Sequence, residues 1–197
     1  MKRIILFSTP TPTNLGKILG LVFPIKMGYK VFAYMPSDGA NCPQKYRDEW
    51  KGYAEKYGAE FRYIDNSKEN AADEVNKLLG ANILIITGGN TFKLLDNLRK
   101  SGLDKAIKEF SCKSEFILAG FSAGALVLTP TIEVCNLSNY DKNEVGLKDL
   151  TGLGIVSFEV FPHYSEQEHN DLLKVYKIHA KNEVKEITNE DCIVLDL

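Results

Sequence analysis

Short apolar runs rich in Ile, Val and Phe alternate along the chain with longer segments whose apolar positions recur at helical spacing. That alternation is the pattern of βα units feeding a parallel sheet. Strands are predicted over residues 3–8, 30–35, 61–64, 81–87, 115–121 and 154–161, with two short ones at 184–187 and 192–195. Helices are predicted over 43–57, 69–79, 92–100, 104–110, 123–128 and 165–181. The boundaries have local causes: Pro43 at a first turn, Gly58 and Gly80 at helix ends, and Pro36-Ser-Asp-Gly39 as a turn closing the second strand. The run Asn82-Ile-Leu-Ile-Ile-Thr87 lacks polar alternation, which places it mid-sheet with both faces covered. Residues 136–149, rich in Asn, Asp and Lys, are predicted to form a surface loop.

Composition narrows the function classes. A chain of 197 residues, 44% hydrophobic and 25% charged, is the size and mixture of one domain spanning 1–197 with a full core and no need of disulfide or metal staples. The 24 basic and 26 acidic residues leave a formal charge of −2 and no field for steering onto nucleic acid or an anionic membrane. Cys42, Cys112, Cys135 and Cys192 form no C-x-x-C pair, and no His-x-His or His-x-x-His occurs, so neither a metal site nor a redox motif is written. Only four apolar residues follow the opening Met-Lys-Arg, too few for a signal peptide. The longest apolar stretch, from Ile18 to Ile25, is interrupted by Gly20 and Pro24, far short of the ~20 residues that span a bilayer. A soluble, cytoplasmic protein with reduced thiols is expected. Its expected partner is a small peptide substrate, with no cofactor, nucleic acid or membrane, and a homodimer is left open.

Three polar signatures directly follow apolar runs: Gly88-Gly89-Asn90, Gly120-Phe-Ser122-Ala-Gly124 and Pro162-His163-Tyr164. The carboxyl ends of strands in a parallel sheet share one edge, so these segments are expected to converge there. Gly120-x-Ser122-x-Gly124, set between a strand and a helix, has the form of a nucleophile elbow, although a serine N-cap at an ordinary junction reads the same. Serine needs a base, and of three histidines only His163 stands at a strand end; His169 and His179 lie within the last helical stretch. A loop histidine facing solvent is the alternative. The backbone N–H groups of Ala123 and Gly89 are candidate oxyanion donors, with Asn90 beside them. Gly88-Gly89-Asn90-Thr91, with Lys93 nearby, also fits a phosphate cradle at a helix start, and hence a binding module without chemistry. An acid after His163 suits this order of parts, with Glu190 first and Asp191 next; Asp141, Glu166 and Glu168 are further candidates.

At these residues the sequence resembles the peptidase E (aspartyl dipeptidase) family and its relative cyanophycinase, within the class I glutamine-amidotransferase-like superfold. The resemblance rests on Gly88-Gly-Asn-Thr-Phe-Lys-Leu-Leu95, on Gly120-Phe-Ser-Ala-Gly-Ala125 with Pro130-Thr-Ile132, and on Phe161-Pro-His163, and it spans nearly the whole chain. It implies an α/β fold of three layers, flavodoxin-like, with a central, mostly parallel sheet. It also implies Ser122 as nucleophile, His163 as base, and the Gly89 and Ala123 amides as the oxyanion hole. The third triad position falls around Asn189-Glu190-Asp191, with Glu190 expected to fill it; a degenerate member without that acid is the alternative. Many aspartyl dipeptidases carry Asn-Asp after the elbow, where this chain has Asn136-Leu137. Glutamine amidotransferase chemistry is disfavoured, because that class places cysteine in the elbow. The chain has four arginines, Arg3, Arg47, Arg62 and Arg99, none near the expected cleft, so weak preference for an N-terminal aspartate is expected.

Overall fold

The computed structural model describes residues 1–69, 71–137 and 141–197. Parts of the predicted 69–79 helix and 136–149 loop fall on residues 70 and 138–140, outside the described residues. The large sheet contains β1 (Lys2–Phe7), β2 (Lys30–Met35), β3 (Ala59–Tyr63), β4 (Ile83–Ile86), β5 (Phe116–Phe121) and β8 (Cys192–Asp196) in the order β3-β2-β4-β5-β1-β8. Its first five strands are parallel, and β8 runs antiparallel along β1.

Alternation along each strand divides the core between two layers. Leu84, Ile86, Leu6 and Leu118 face α3 (Ala72–Leu79), α4 (Thr91–Ser101) and α5 (Leu103–Phe110), where Leu78, Leu95 and Ile107 are buried. On the other face Ile83, Ile85, Phe32 and Ile117 meet α1 (Leu15–Val22) and α2 (Gln44–Lys56) through Ile18, Val22 and Trp50. All four residues of β4 are buried, as a central strand requires. No described helix is long and apolar enough to cross a membrane.

Two expectations change. Helix α1 was absent from the sequence pattern because Gly16, Gly20 and Pro24 break up its apolar stripe, yet Ile18, Leu19 and Val22 lie buried along one face. The strand expected at 154–161 shrinks to β6 (Glu159–Phe161), which pairs with β7 (Val184–Glu186) in a separate two-stranded sheet. The preceding amides are taken elsewhere: Leu153 N–H donates to Val127 O at 2.8 Å, Gly154 N–H to Thr129 O at 3.0 Å and Ile155 N–H to Leu128 O at 2.9 Å. These donors are spent on the segment after the elbow and cannot enter a ladder.

The loop after β3 is held by a buried carboxylate. Glu74, 1% exposed, accepts from Lys68 and Lys77 at 2.9 Å each and from the Asp65 amide at 3.1 Å. Burial pushes its carboxyl up, but the hydrogen bonds from Lys77, Lys68 and the Asp65 amide outweigh that and hold it below the ordinary carboxylate range. A carboxyl depressed in the folded state stabilises above its unfolded pKa, and the gain is lost as pH falls through the folded value. Glu74→Gln is therefore expected to cost about 2 kcal/mol at neutral pH. Urea denaturation should show the gap between the two proteins closing as the pH drops below ~4; a gap that persists there would contradict this account.

Candidate functional site

Ser122 stands between β5 and α6 (Ala123–Leu126) with φ 50 and ψ −118, a conformation that costs a residue with a side chain on the order of 1–3 kcal/mol. Backbone contact enforces it. A Cβ on Gly124 would lie 2.0 Å from Ile86 O, and one on Gly120 would lie 2.5 Å from Gly124 O, so strand and helix meet without side chains between them. Ser122 N–H donates to Phe7 O at 3.1 Å, tying the elbow to the end of β1.

His163 also has positive φ, at 57. Its amide donates to Ser8 Oγ at 2.9 Å, and Ser8, fully buried, donates in turn to Ile187 O at 2.8 Å. Tyr164 N–H joins the same Ile187 carbonyl at 3.0 Å. The histidine thus reaches the elbow by docking the end of the small β6–β7 sheet onto Ser8, the residue after β1, and not by sharing an edge of one sheet. The result is a 3.0 Å contact between His163 Nε2 and Ser122 Oγ.

Behind the imidazole the structure departs from the expected acid. Asn189 Oδ1 stands 2.8 Å from His163 Nδ1. Glu190 instead turns to the segment after β1, accepting from Thr11 Oγ1 at 3.1 Å and from the Thr13 hydroxyl. The backbone explains the choice: Asn14, 6% exposed, donates its side-chain amide to Asn189 O at 2.8 Å, and Glu190 N–H bonds to Thr188 Oγ1 at 3.3 Å. Successive side chains of this turn then diverge, Asn189 toward His163 and Glu190 away. Asp191 accepts from Thr188 Oγ1 at 2.6 Å. Glu166 and Glu168 lie in the first turn of α7 (Glu166–His179). Asn189 is no carboxylate, and its signal in the sequence is its place in Thr188-Asn-Glu-Asp191, since an amide oxygen accepts from an imidazole N–H as a carboxylate does.

The Gly88–Gly89 peptide is oriented from the side. Ser37 Oγ donates to Gly88 O at 2.7 Å, and in a trans peptide the Gly89 N–H then points away from Ser37. Gly89 has φ 145, and a Cβ there would overlap Ser37 Oγ at 1.9 Å, so only glycine fits. Ala123 opens α6, where the first amides have no intrahelical acceptor. Asn90 stands at the start of α4 beside the Gly88–Gly89 peptide. Its Oδ1 caps α4 by accepting from Lys93 N–H at 2.9 Å, while its Nδ2 donates to Lys142 O at 2.8 Å. The phosphate-cradle alternative is corrected as well: Asp141 Oδ2 occupies the start of α4, accepting from Thr91 N–H at 2.9 Å and Thr91 Oγ1 at 2.5 Å. A carboxylate already sits where an anion would bind.

Ser122, His163 and Asn189 line a cavity of about 520 Å³ together with Phe161, Asp141 and Glu168. Cys135, also on its wall, is no rival nucleophile, because burial above all pushes its thiol up to about 12 and keeps it protonated. Every arginine is engaged elsewhere: Arg3 with Asp196, Arg62 with Glu60, Arg99 with Asp149 and the Thr151 carbonyl, and Arg47 over the Tyr63 ring at 3.7 Å. Among the described residues no group of three or more His, Cys, Asp or Glu side chains is placed to hold a metal ion.

Comparison with known proteins gives a consistent result. The model of peptidase family S51 matches residues 24–196. The uncharacterized peptidase Lmo0363 of Listeria monocytogenes is 28% identical over 152 residues, 76% of this chain and 74% of that protein. Peptidase E of Citrobacter koseri is 31% identical over 119 residues, 59% of this chain and 50% of its own length, so the match spans half of that relative. The crystal structure of a peptidase E-like protein from Listeria monocytogenes EGD-e superimposes with a TM-score of 0.75 at 25% identity, covering 100% of this chain and 99% of the other. A peptidase from an acI-B1 Actinobacterium, at 20% identity and a TM-score of 0.71, shares the fold over 99% of this chain and 83% of its own.

Proposed function

The chain belongs to peptidase family S51, and from that premise we propose that it cleaves short peptides through an acyl-enzyme formed on Ser122. The 3.0 Å contact of Ser122 Oγ with His163 Nε2 at a positive-φ elbow carries this reading. With Asn189 Oδ1 accepting from Nδ1–H, the free electron pair of the ring lies on Nε2, facing the serine hydroxyl. His163 takes the Ser122 proton as Oγ attacks the peptide carbonyl, and the Gly89 and Ala123 N–H groups meet the oxyanion. The imidazolium then protonates the departing amine, and water repeats the sequence on the ester to release the acid.

The cavity beside His163 also bears on which peptide is taken. Its ionisable lining among the described residues, beyond His163, is Asp141, Glu168, Cys135 and Tyr164, with no lysine or arginine. An N-terminal aspartate would find no cation there, whereas a free amine or a basic side chain would meet acidic walls. Lys-Leu and Ala-Leu are therefore expected to be hydrolysed at least as well as Asp-Leu. A hundredfold advantage in kcat/KM for Asp-Leu, about 2.7 kcal/mol of transition-state binding, would require a carboxylate-binding group in the cleft and overturn this preference. The chemistry itself is tested by fluorophosphonate labelling, which an activated Ser122 accepts and a purely ligand-binding cleft does not.

A further inference from the structure

A second cavity, of about 640 Å³, adjoins the elbow. Phe121 and Gly88 line it, while Ser122, the next residue after Phe121, lines the cavity of His163. A Cβ on Gly88 would stand 3.0 Å from Ser122 Cβ and 3.2 Å from the Phe121 ring, so the backbone at Gly88 lies against both the elbow serine and the ring that lines the second cavity.

The second cavity has a distinct chemistry. Tyr34, Tyr46, Trp50, Tyr53 and Phe121 converge on it from β2, α2 and β5. Trp50 stacks against Tyr34 at 6.1 Å and Phe121 at 6.5 Å and meets Tyr53 edge-on at 5.5 Å. Its two carboxylates are already engaged: Asp38 pairs with Lys93 at 3.2 Å, and Glu49 accepts from Tyr53 Oη at 2.7 Å. Burial first, then Glu49, raises Tyr53 to about 12, and burial first, then Cys42, raises Tyr34 further, so both rings stay neutral. The lining thus offers ring surface of Tyr46, Tyr53 and Phe121 over the buried Trp50 and Tyr34, with the Glu49 carboxylate and the Asp38–Lys93 ion pair as its charged groups.

We propose that this cavity receives an aromatic side chain of the substrate, on the residue across the scissile bond from the one lodged beside His163. The inference rests on the peptidase reading for the scissile bond. It also gives Glu190 a task. Through Thr11 and Thr13 that carboxylate ties the segment containing Thr11, which completes the aromatic cavity, to the turn carrying Asn189.

Trp50 is the one tryptophan of the sequence, and it reports occupancy directly. Its emission can be followed in Ser122→Ala protein titrated with Ala-Phe, Phe-Ala, Ala-Ala and Ala-Asp. One of the Phe dipeptides is expected to give a saturable change with a Kd at least about tenfold below that of Ala-Ala. Tyr46, 46% exposed and so removable without opening the core, should on change to Ala raise that Kd about fivefold or more. Equal affinities for the four dipeptides, no saturable change, or an unaltered Kd in the Tyr46→Ala protein would each overturn the proposal. Hydrolysis by the unsubstituted protein is read separately. Cleavage of Ala-Ala without any gain from Phe leaves the peptidase and removes the aromatic site. Binding of a Phe dipeptide with no dipeptide cleaved keeps the aromatic site and overturns the peptidase reading alone.

Discussion

Ser122→Ala is expected to abolish dipeptide turnover, lowering kcat by about 10⁴-fold or more, while stability changes by no more than about 1 kcal/mol. Ser122 Oγ stands 3.0 Å from His163 Nε2, and the nearby Cys135 thiol is buried and protonated. Stability is a separate matter. Alanine keeps the Cβ at φ 50 and so keeps the strain, losing one hydrogen bond at a cleft, roughly 0.5–1 kcal/mol. Ser122→Gly should do more: it removes the Cβ that makes this φ unfavourable, and the expected gain of about 1 kcal/mol raises Tm by about 2–4 °C. Calorimetry on the three proteins beside steady-state kinetics checks both halves. Turnover retained by Ser122→Ala would move the chemistry to another residue, and a lower Tm for Ser122→Gly would mean the elbow is not strained.

Asn189→Ala should have the next largest effect, lowering kcat about a hundredfold or more with KM changed less than about threefold. Asn189 touches neither the nucleophile nor, on this reading, the substrate; it is a positioning residue that holds the ring with Nδ1–H turned back and Nε2 forward. Asn189→Asp supplies an acceptor at the same place and should recover most of the loss. Glu190→Gln keeps the hydrogen-bonding shape toward Thr11 and Thr13 and should cost no more than a few-fold in kcat. A larger loss from Glu190→Gln than from Asn189→Ala would mean that the carboxylate, and not the amide, orients the histidine during turnover.

The gap between these two adjacent residues marks how far the sequence reaches. Period-two runs and glycine stops are local, so β2 over Lys30–Met35 agrees with its predicted bounds and α5 begins only a residue early. The elbow is local too. Gly120 and Gly124 encode a backbone contact within five residues, and the structure shows it where a Cβ on Gly120 would lie 2.5 Å from Gly124 O; the approach of Gly124 to Ile86 O is added by packing against β4. His163 was singled out because it alone of three histidines followed a strand, and that strand, though shortened, ends at Phe161.

What the tertiary structure decided depends on groups far apart in the chain. Asn189 prevails over Glu190 because Asn14, 175 positions earlier, fixes the turn's carbonyl. The strand predicted at 154–161 shortens to β6 because the amides before it are claimed by carbonyls of Val127, Leu128 and Thr129. The start of α4 is closed to phosphate by Asp141, 50 positions on from Thr91. The aromatic cavity gathers rings from β2, α2 and β5, whose spacing in sequence has no period to notice. Local patterns report the hydrogen bonds and apolar faces that neighbouring residues must satisfy among themselves. Which distant acceptor meets a given donor is settled only when the packed chain has brought the competitors within about 3 Å of one another.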